Sequence, residues 1–162
     1  MRAAVLCLTI FVAMACGDND PDALALYYPG LPDPTGEPQG ASAGPVTSTE
    51  QLLTGPAASG MVGDFFLAND RVKVIVSAPT RVIGVIPQGG NIVDAALLQA
   101  SGTGVVQATP DHFGELAMIY ALGRTCDHET LEVVRDGKGG GVAALRAVGR
   151  SANDDFLNLR GA

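Results

Sequence analysis

The side chains able to do chemistry in this chain are mostly carboxylates. Asp94, Asp111, His112 and Glu115 lie near one another in sequence, and Asp127-His128-Glu129 follows. A catalytic transition-metal site needs three or four His, Cys or carboxylate ligands converging on one point. The chain has 2 His, and no H-x-x-x-H spacing brings them together. Calcium is less demanding, because it accepts carboxylates and carbonyls in loose geometry. If Asp111–Glu115 forms a turn, Asp94, Asp111 and Glu115 become candidate Ca²⁺ ligands. The competing reading is that Asp111 caps a turn while Glu115 opens a strand with its side chain in water.

Other chemistries find less support. Paired carboxylates such as Asp111 and Glu115 serve glycoside hydrolysis, but no aromatic platform for a sugar accompanies them. No Gly-x-Ser-x-Gly elbow gives context to a Ser-His-Asp set. Gly89-Gly90 and Gly139-Gly-Gly141 read as turns, since neither belongs to a G-x-x-x-x-G-K phosphate loop. The residues therefore point to a chain that is not an enzyme and that needs no cofactor.

The elements that would carry these side chains centre on the stretch Gly63–Val76. Two β-rich runs, Asp64–Ala68 and Arg71–Ser77, flank Asn69-Asp70, which tolerates positive φ and predicts a two-residue hairpin turn. In the second arm Val72, Val74 and Val76 share one face, with Arg71, Lys73 and Ile75 on the other. That alternation predicts a strand with one buried side. Further strands are expected at Arg81–Pro87, Ile92–Leu98, Gly104–Thr109, Leu116–Leu122, Glu129–Arg135 and Val142–Gly149, with a flexible loop at Asp136–Gly141. Strand-sized runs at this spacing predict a mostly β fold, an antiparallel β-sandwich over residues 51–162. The apolar run Phe156–Leu159 lies just before the end, so a final strand without a partner is expected, as in the first part of a larger β-domain.

The N-terminus reads differently. Met1–Ala15 carries one charge, Arg2, then the apolar run Ala3–Ala15 with small residues at Ala13 and Ala15. A basic start, a short apolar core and a small-residue cleavage site make residues 1–15 a secretory signal. The run is too short to span a bilayer, which takes about 20 apolar residues. Residues 16–50 follow as a tether. Positions 17–50 hold six acids and six prolines with no Lys or Arg, a composition that buries little surface and predicts disorder. Residues 51–162 are nearly balanced, with eleven acids against nine bases, so the formal charge of −7 comes mainly from the tether. No basic patch with interleaved aromatics appears, and nucleic-acid binding is not expected.

Val12-Ala-Met-Ala-Cys16 resembles the lipobox of bacterial lipoproteins, although Ala13 and Met14 depart from the usual residues. The resemblance implies a lipidated Cys16 at a new N-terminus, and Gly17 in place of Asp fits sorting to the outer membrane. Ordinary cleavage with an unmodified Cys16 is the alternative. Cys7 would leave with the signal and Cys126 would stand alone as a small buried hydrophobe, with no disulfide in the mature chain.

Gly63–Val76, Gly89-Gly-Asn-Ile-Val-Asp94 and Asp111-His-Phe-Gly-Glu-Leu116 occur in that order. Together they resemble the N-terminal β-sandwich region of large secreted lipoproteins of myxobacteria. The resemblance covers about residues 58–162. In that group such a domain precedes other β-modules and, in some members, a PHP-type metal-dependent hydrolase, none of whose His motifs occurs here. The expectation is a lipid-anchored envelope protein whose β-domain meets a polysaccharide or an envelope protein. The alternative is the N-terminal fragment of a carbohydrate-active or metal-dependent hydrolase, or a remnant of one.

Overall fold

The computed structural model describes residues 13–16, 40–84, 86–100, 106–119, 124–139 and 141–152, with only the backbone described at 13–16, 99, 100 and 106. Among the described residues the protein is mostly β, with antiparallel sheets. The strands are β1 (Ala13–Cys16), β2 (Ser42–Pro45), β3 (Phe65–Ala68), β4 (Val72–Val76), β5 (Ile92–Ala100), β6 (Val106–Ala108), β7 (Cys126–Asp136) and β8 (Ala143–Ser151). A five-stranded sheet runs β2-β3-β4-β5-β6, and a three-stranded sheet runs β1-β8-β7. All pairings are antiparallel except β1 with β8, which run parallel. Among the described residues no helix is long and apolar enough to cross a membrane.

The β3–β4 hairpin forms as expected, but its turn sits one residue later. Ala68 pairs with Lys73, and Asn69 N–H donates to the Val72 carbonyl at 2.9 Å, which leaves Asp70-Arg71 as the turn. Asn69 acts through its side chain: Oδ1 accepts from the N–H groups of Arg71 and Val72, each at 2.8 Å. This is an Asx-type cap, the other reason for Asn at a turn.

The expected single buried face of β4 is corrected. Val74, Ile75 and Val76 are all buried, Ile75 completely. Val74 and Val76 join Ala43, Leu67 and Ile92 and meet Leu131, Leu145 and Ala147 of the smaller sheet in one cluster. Ile75 faces the opposite side, with Val46, Leu53, Val93 and Ala96. The cover on that side comes from loops, so sequence alternation alone could not reveal it.

A register shift reshapes β5. Val76 pairs with Ile92 but Ile75 pairs with Asp94, so Val93 is an extra residue. Such an insertion reverses the side-chain parity beyond it. Asp94 thereby turns to the loop side with Ile75, not to the side of Ile92.

Other expectations are corrected. Residues 17–39 of the tether lie outside the described residues, but Ser42–Pro45 is a strand and Val46 is buried, so the fold begins upstream of residue 51. Pro45 is compatible because β2 is an edge strand, where a missing N–H costs no ladder bond. Residues 81–84 and 86–87 form no strand, and residues 117–119 form none either. Leu116 makes a single bridge to Ile92. β8 lies between β1 and β7 in the smaller sheet. Residues 1–12 of the signal and the run Phe156–Leu159 lie outside the described residues.

Replacing Val74 with Asp would place an unpaired charge between the two sheets, a cost of several kcal/mol against a typical stability of about 5–15 kcal/mol. The expected outcome in urea unfolding followed by circular dichroism is loss of the cooperative transition. A curve unchanged from the parent would refute this core.

Candidate functional site

The carboxylates singled out by sequence are put to structural use. Asp94, fully buried on β5, accepts from Ser59 N–H at 2.7 Å, Ser59 Oγ at 3.1 Å and Gly60 N–H at 2.8 Å. Asp111, also fully buried, accepts through Oδ1 from Ala95 N–H at 3.2 Å and Phe113 N–H at 2.8 Å. Its own N–H donates to the Thr54 carbonyl at 2.8 Å, and its carbonyl accepts from Ala57. Gly55 approaches so closely that an added Cβ would lie 2.3 Å from the Asp111 nitrogen. The second Asp111 oxygen is buried without a hydrogen-bond partner. Glu115 is half-buried and accepts from Asn91 Nδ2 at 2.9 Å.

His112 is exposed, as are Asp127 and Glu129, and Glu129 pairs with Arg150 at 2.7 Å. His128 is buried, and its Nδ1–H donates to the Gly89 carbonyl at 2.6 Å. Gly90 adopts φ 83° beneath the imidazole, and an added Cβ would lie 2.5 Å from Nδ1. Nε2 is buried and unpartnered. Among the described residues no group of three or more His, Cys, Asp or Glu side chains is placed to hold a metal. Of the competing readings, the turn cap describes Asp111, whose Oδ1 accepts from the N–H two residues on. Glu115 departs from it, since it reaches Asn91 instead of water.

A third buried carboxylate went unnoticed as a candidate. Asp64 is fully buried and forms an ion pair with Arg81. It also accepts from Met61 N–H at 2.8 Å and Ala78 N–H at 2.9 Å, while Arg81 donates to the Ser59 carbonyl at 2.7 Å. The signal in the sequence is an acid at the mouth of an apolar hairpin, directly after Gly63, with a lone Arg just beyond the second arm.

Lys73 shares the loop side of the five-stranded sheet. Its Nζ donates to the Gln51 carbonyl at 2.5 Å and lies 5.3 Å from the centroid of the Phe66 ring. Burial lowers its pKa from 10.5. At the far end of β7, Lys138 N–H donates to Asp136 Oδ1 at 3.0 Å. That bond and the Lys138 ammonium lower the pKa of the Asp136 carboxyl. An open concavity of about 500 Å³ lies there, lined by Val133, Arg135, Asp136, Lys138 and Val142 among others, and contains none of the candidate ligands.

Cys126 is buried, as a small hydrophobe should be, but it is disulfide-bonded instead of standing alone. The other cysteines of the sequence are Cys7 and Cys16. The Cys16 backbone ends β1, opposite Gly149.

No protein-family model matches the chain, and no match is found among curated proteins or solved structures.

Two outcomes follow. Calcium at about 1 mM, a level that loads ordinary extracellular sites, is expected to leave the thermal midpoint unchanged; a rise that disappears in Asp111→Asn would restore the calcium reading. For Lys73 the unfolded chain binds the proton more tightly, so stability rises with pH between the lowered folded pKa and 10.5. The cost of the buried charge is fully present below that window. Urea midpoints between about pH 8 and 10.5 should climb less steeply in Lys73→Met than in the parent, and identical slopes would show that Lys73 does not cause the rise.

Proposed function

We propose that this protein is a lipid-anchored bacterial envelope protein that presents a β-domain to a polysaccharide or an envelope protein and performs no catalysis of its own. The observation that carries the reading is the N-terminal pattern: Arg2, the apolar run Ala3–Ala15, then Cys16-Gly17. Acylation of Cys16 would bury enough CH₂ groups for stable anchoring, at about 0.8 kcal/mol each. Gly17 favours the outer membrane. Residues 17–39 then form the acidic tether, and the β-domain stands beyond it. A presenting role is further supported by the use of Asp64, Asp94 and Asp111, whose oxygens hold loop N–H groups.

Within one chain the lipidated mature form and the Cys126 disulfide exclude each other. Cleavage ahead of Cys16 removes Cys7, and the thioether occupies the Cys16 sulfur. On this reading the mature protein carries no Cys126 disulfide.

Feeding an alkyne-tagged palmitate to a Gram-negative host is expected to label the wild-type protein in the membrane fraction and to leave Cys16→Ser unlabelled. In the labelled form, iodoacetamide in denaturant should alkylate Cys126 without prior reduction. Wild-type protein recovered unlabelled, with Cys126 still oxidised, would refute the anchor.

A further inference from the structure

The two strands of the β7–β8 hairpin differ in how their outer edges are defended. β7 carries two register shifts: His128 pairs with Gly149 and Thr130 with Val148, then Val133 with Leu145 and Arg135 with Ala144. Glu129 and Val134 are the extra residues. Bulges and charges are the usual means of keeping a strand edge from recruiting another chain.

β8 carries no bulged residue. Its nine residues contain no proline. Its two charged side chains are both drawn across to β7, Arg146 to Glu132 and Arg150 to Glu129. Among the described residues, the edge turned away from β7 is covered by β1, where Ala13, Met14, Ala15 and Cys16 pair one-to-one with Arg146, Ala147, Val148 and Gly149. A parallel, uncharged segment is thus the occupant that the molecule itself seats there.

We propose that the outer edge of β8 is a strand-acceptor site. β1 caps it in the unprocessed chain, and cleavage ahead of Cys16 removes Ala13–Ala15 and opens it to an extended, uncharged segment of another polypeptide running parallel to β8. The inference rests on the anchor reading above. Main-chain hydrogen bonds would supply affinity, and the lack of charge in the segment would supply selectivity.

The test is hydrogen exchange at the amides of Ala143–Ser151, with all thiols reduced. Cys16→Ser, with retention of residues 1–15 established by intact mass, is compared with processed wild-type protein purified from membranes in detergent. The processed protein is measured with and without a synthetic peptide of residues 12–16 bearing Cys16→Ser. The amides among Arg146–Gly149 that face β1 should exchange about tenfold faster or more after processing, and the peptide should return them to the slow rate. Slow exchange in the processed protein without peptide, or fast exchange at saturating peptide, would overturn the proposal. So would protection that grows with protein concentration as the molecular mass doubles, because a second copy would then be the occupant. Intact mass, read first, separates the two ideas: retention of residues 1–15 in the wild-type membrane protein defeats the anchor and the removable strand together, whereas a processed chain with the wrong exchange pattern defeats the acceptor edge alone.

Discussion

The constraint on which the rest of the structure depends is that β4 is buried on both faces. Val74 and Val76 lie against the smaller sheet, and Ile75 must be covered from the other side. No second sheet is present there among the described residues, so loops provide the lid. A loop laid over an apolar surface brings polar N–H groups that must find acceptors. Asp64 and Asp94 supply them, each taking two backbone N–H groups while fully buried. Hydrogen bonds to a charged acceptor contribute about 1.5–3 kcal/mol, more than a neutral carbonyl would. Arg81 balances Asp64 and grips the Ser59 carbonyl, so one ion pair joins the segments before β3 and after β4. Breaking such a pair from one side leaves an uncompensated charge, which is why neither partner is expendable.

The joint between the sheets is made partly of backbone. His128 of β7 donates to the Gly89 carbonyl and rests on Gly90, while Thr125 bonds to Gln88. Here a glycine is required twice over, by its positive φ and by the lack of room for a Cβ. Phe66 plays a comparable part on the loop side. Its ring lies against Gly44 of the neighbouring strand and beneath the Lys73 ammonium.

How much of this was legible depended on the range of the interaction. The β3–β4 hairpin could be read because Val72, Val74 and Val76 repeat with the strand period. β2 was hidden because Ser42–Pro45 shares the Pro-rich composition of the segment before it, and only pairing with Phe65–Ala68 distinguishes the two. Asp94 was noticed as a carboxylate but not as a loop anchor. Simple alternation puts it on the face of Ile92, and one extra residue, Val93, reverses that. Asp64 and Arg81 gain meaning only when the chain after β4 folds back. Asp111 was read correctly as a turn cap by the reasoning that concerned its immediate neighbours. Reasoning that required Asp94, Asp111 and Glu115 to converge had no local support.

The joint at Gly89 and Gly90 also sets an order of events in time. Gly55 awaits Asp111, Ser59 and Gly60 await Asp94, and the Gly89 carbonyl awaits His128. A chain growing from its N-terminus can make the β3–β4 hairpin early, but it cannot close either face until the later half has emerged. Closure over such separations belongs to the slow end of folding, roughly milliseconds to seconds. Throughout that lag the valine-rich hairpin stands with both sides bare to the surroundings, and its length is dictated by the path of the chain, whatever the strength of any single contact.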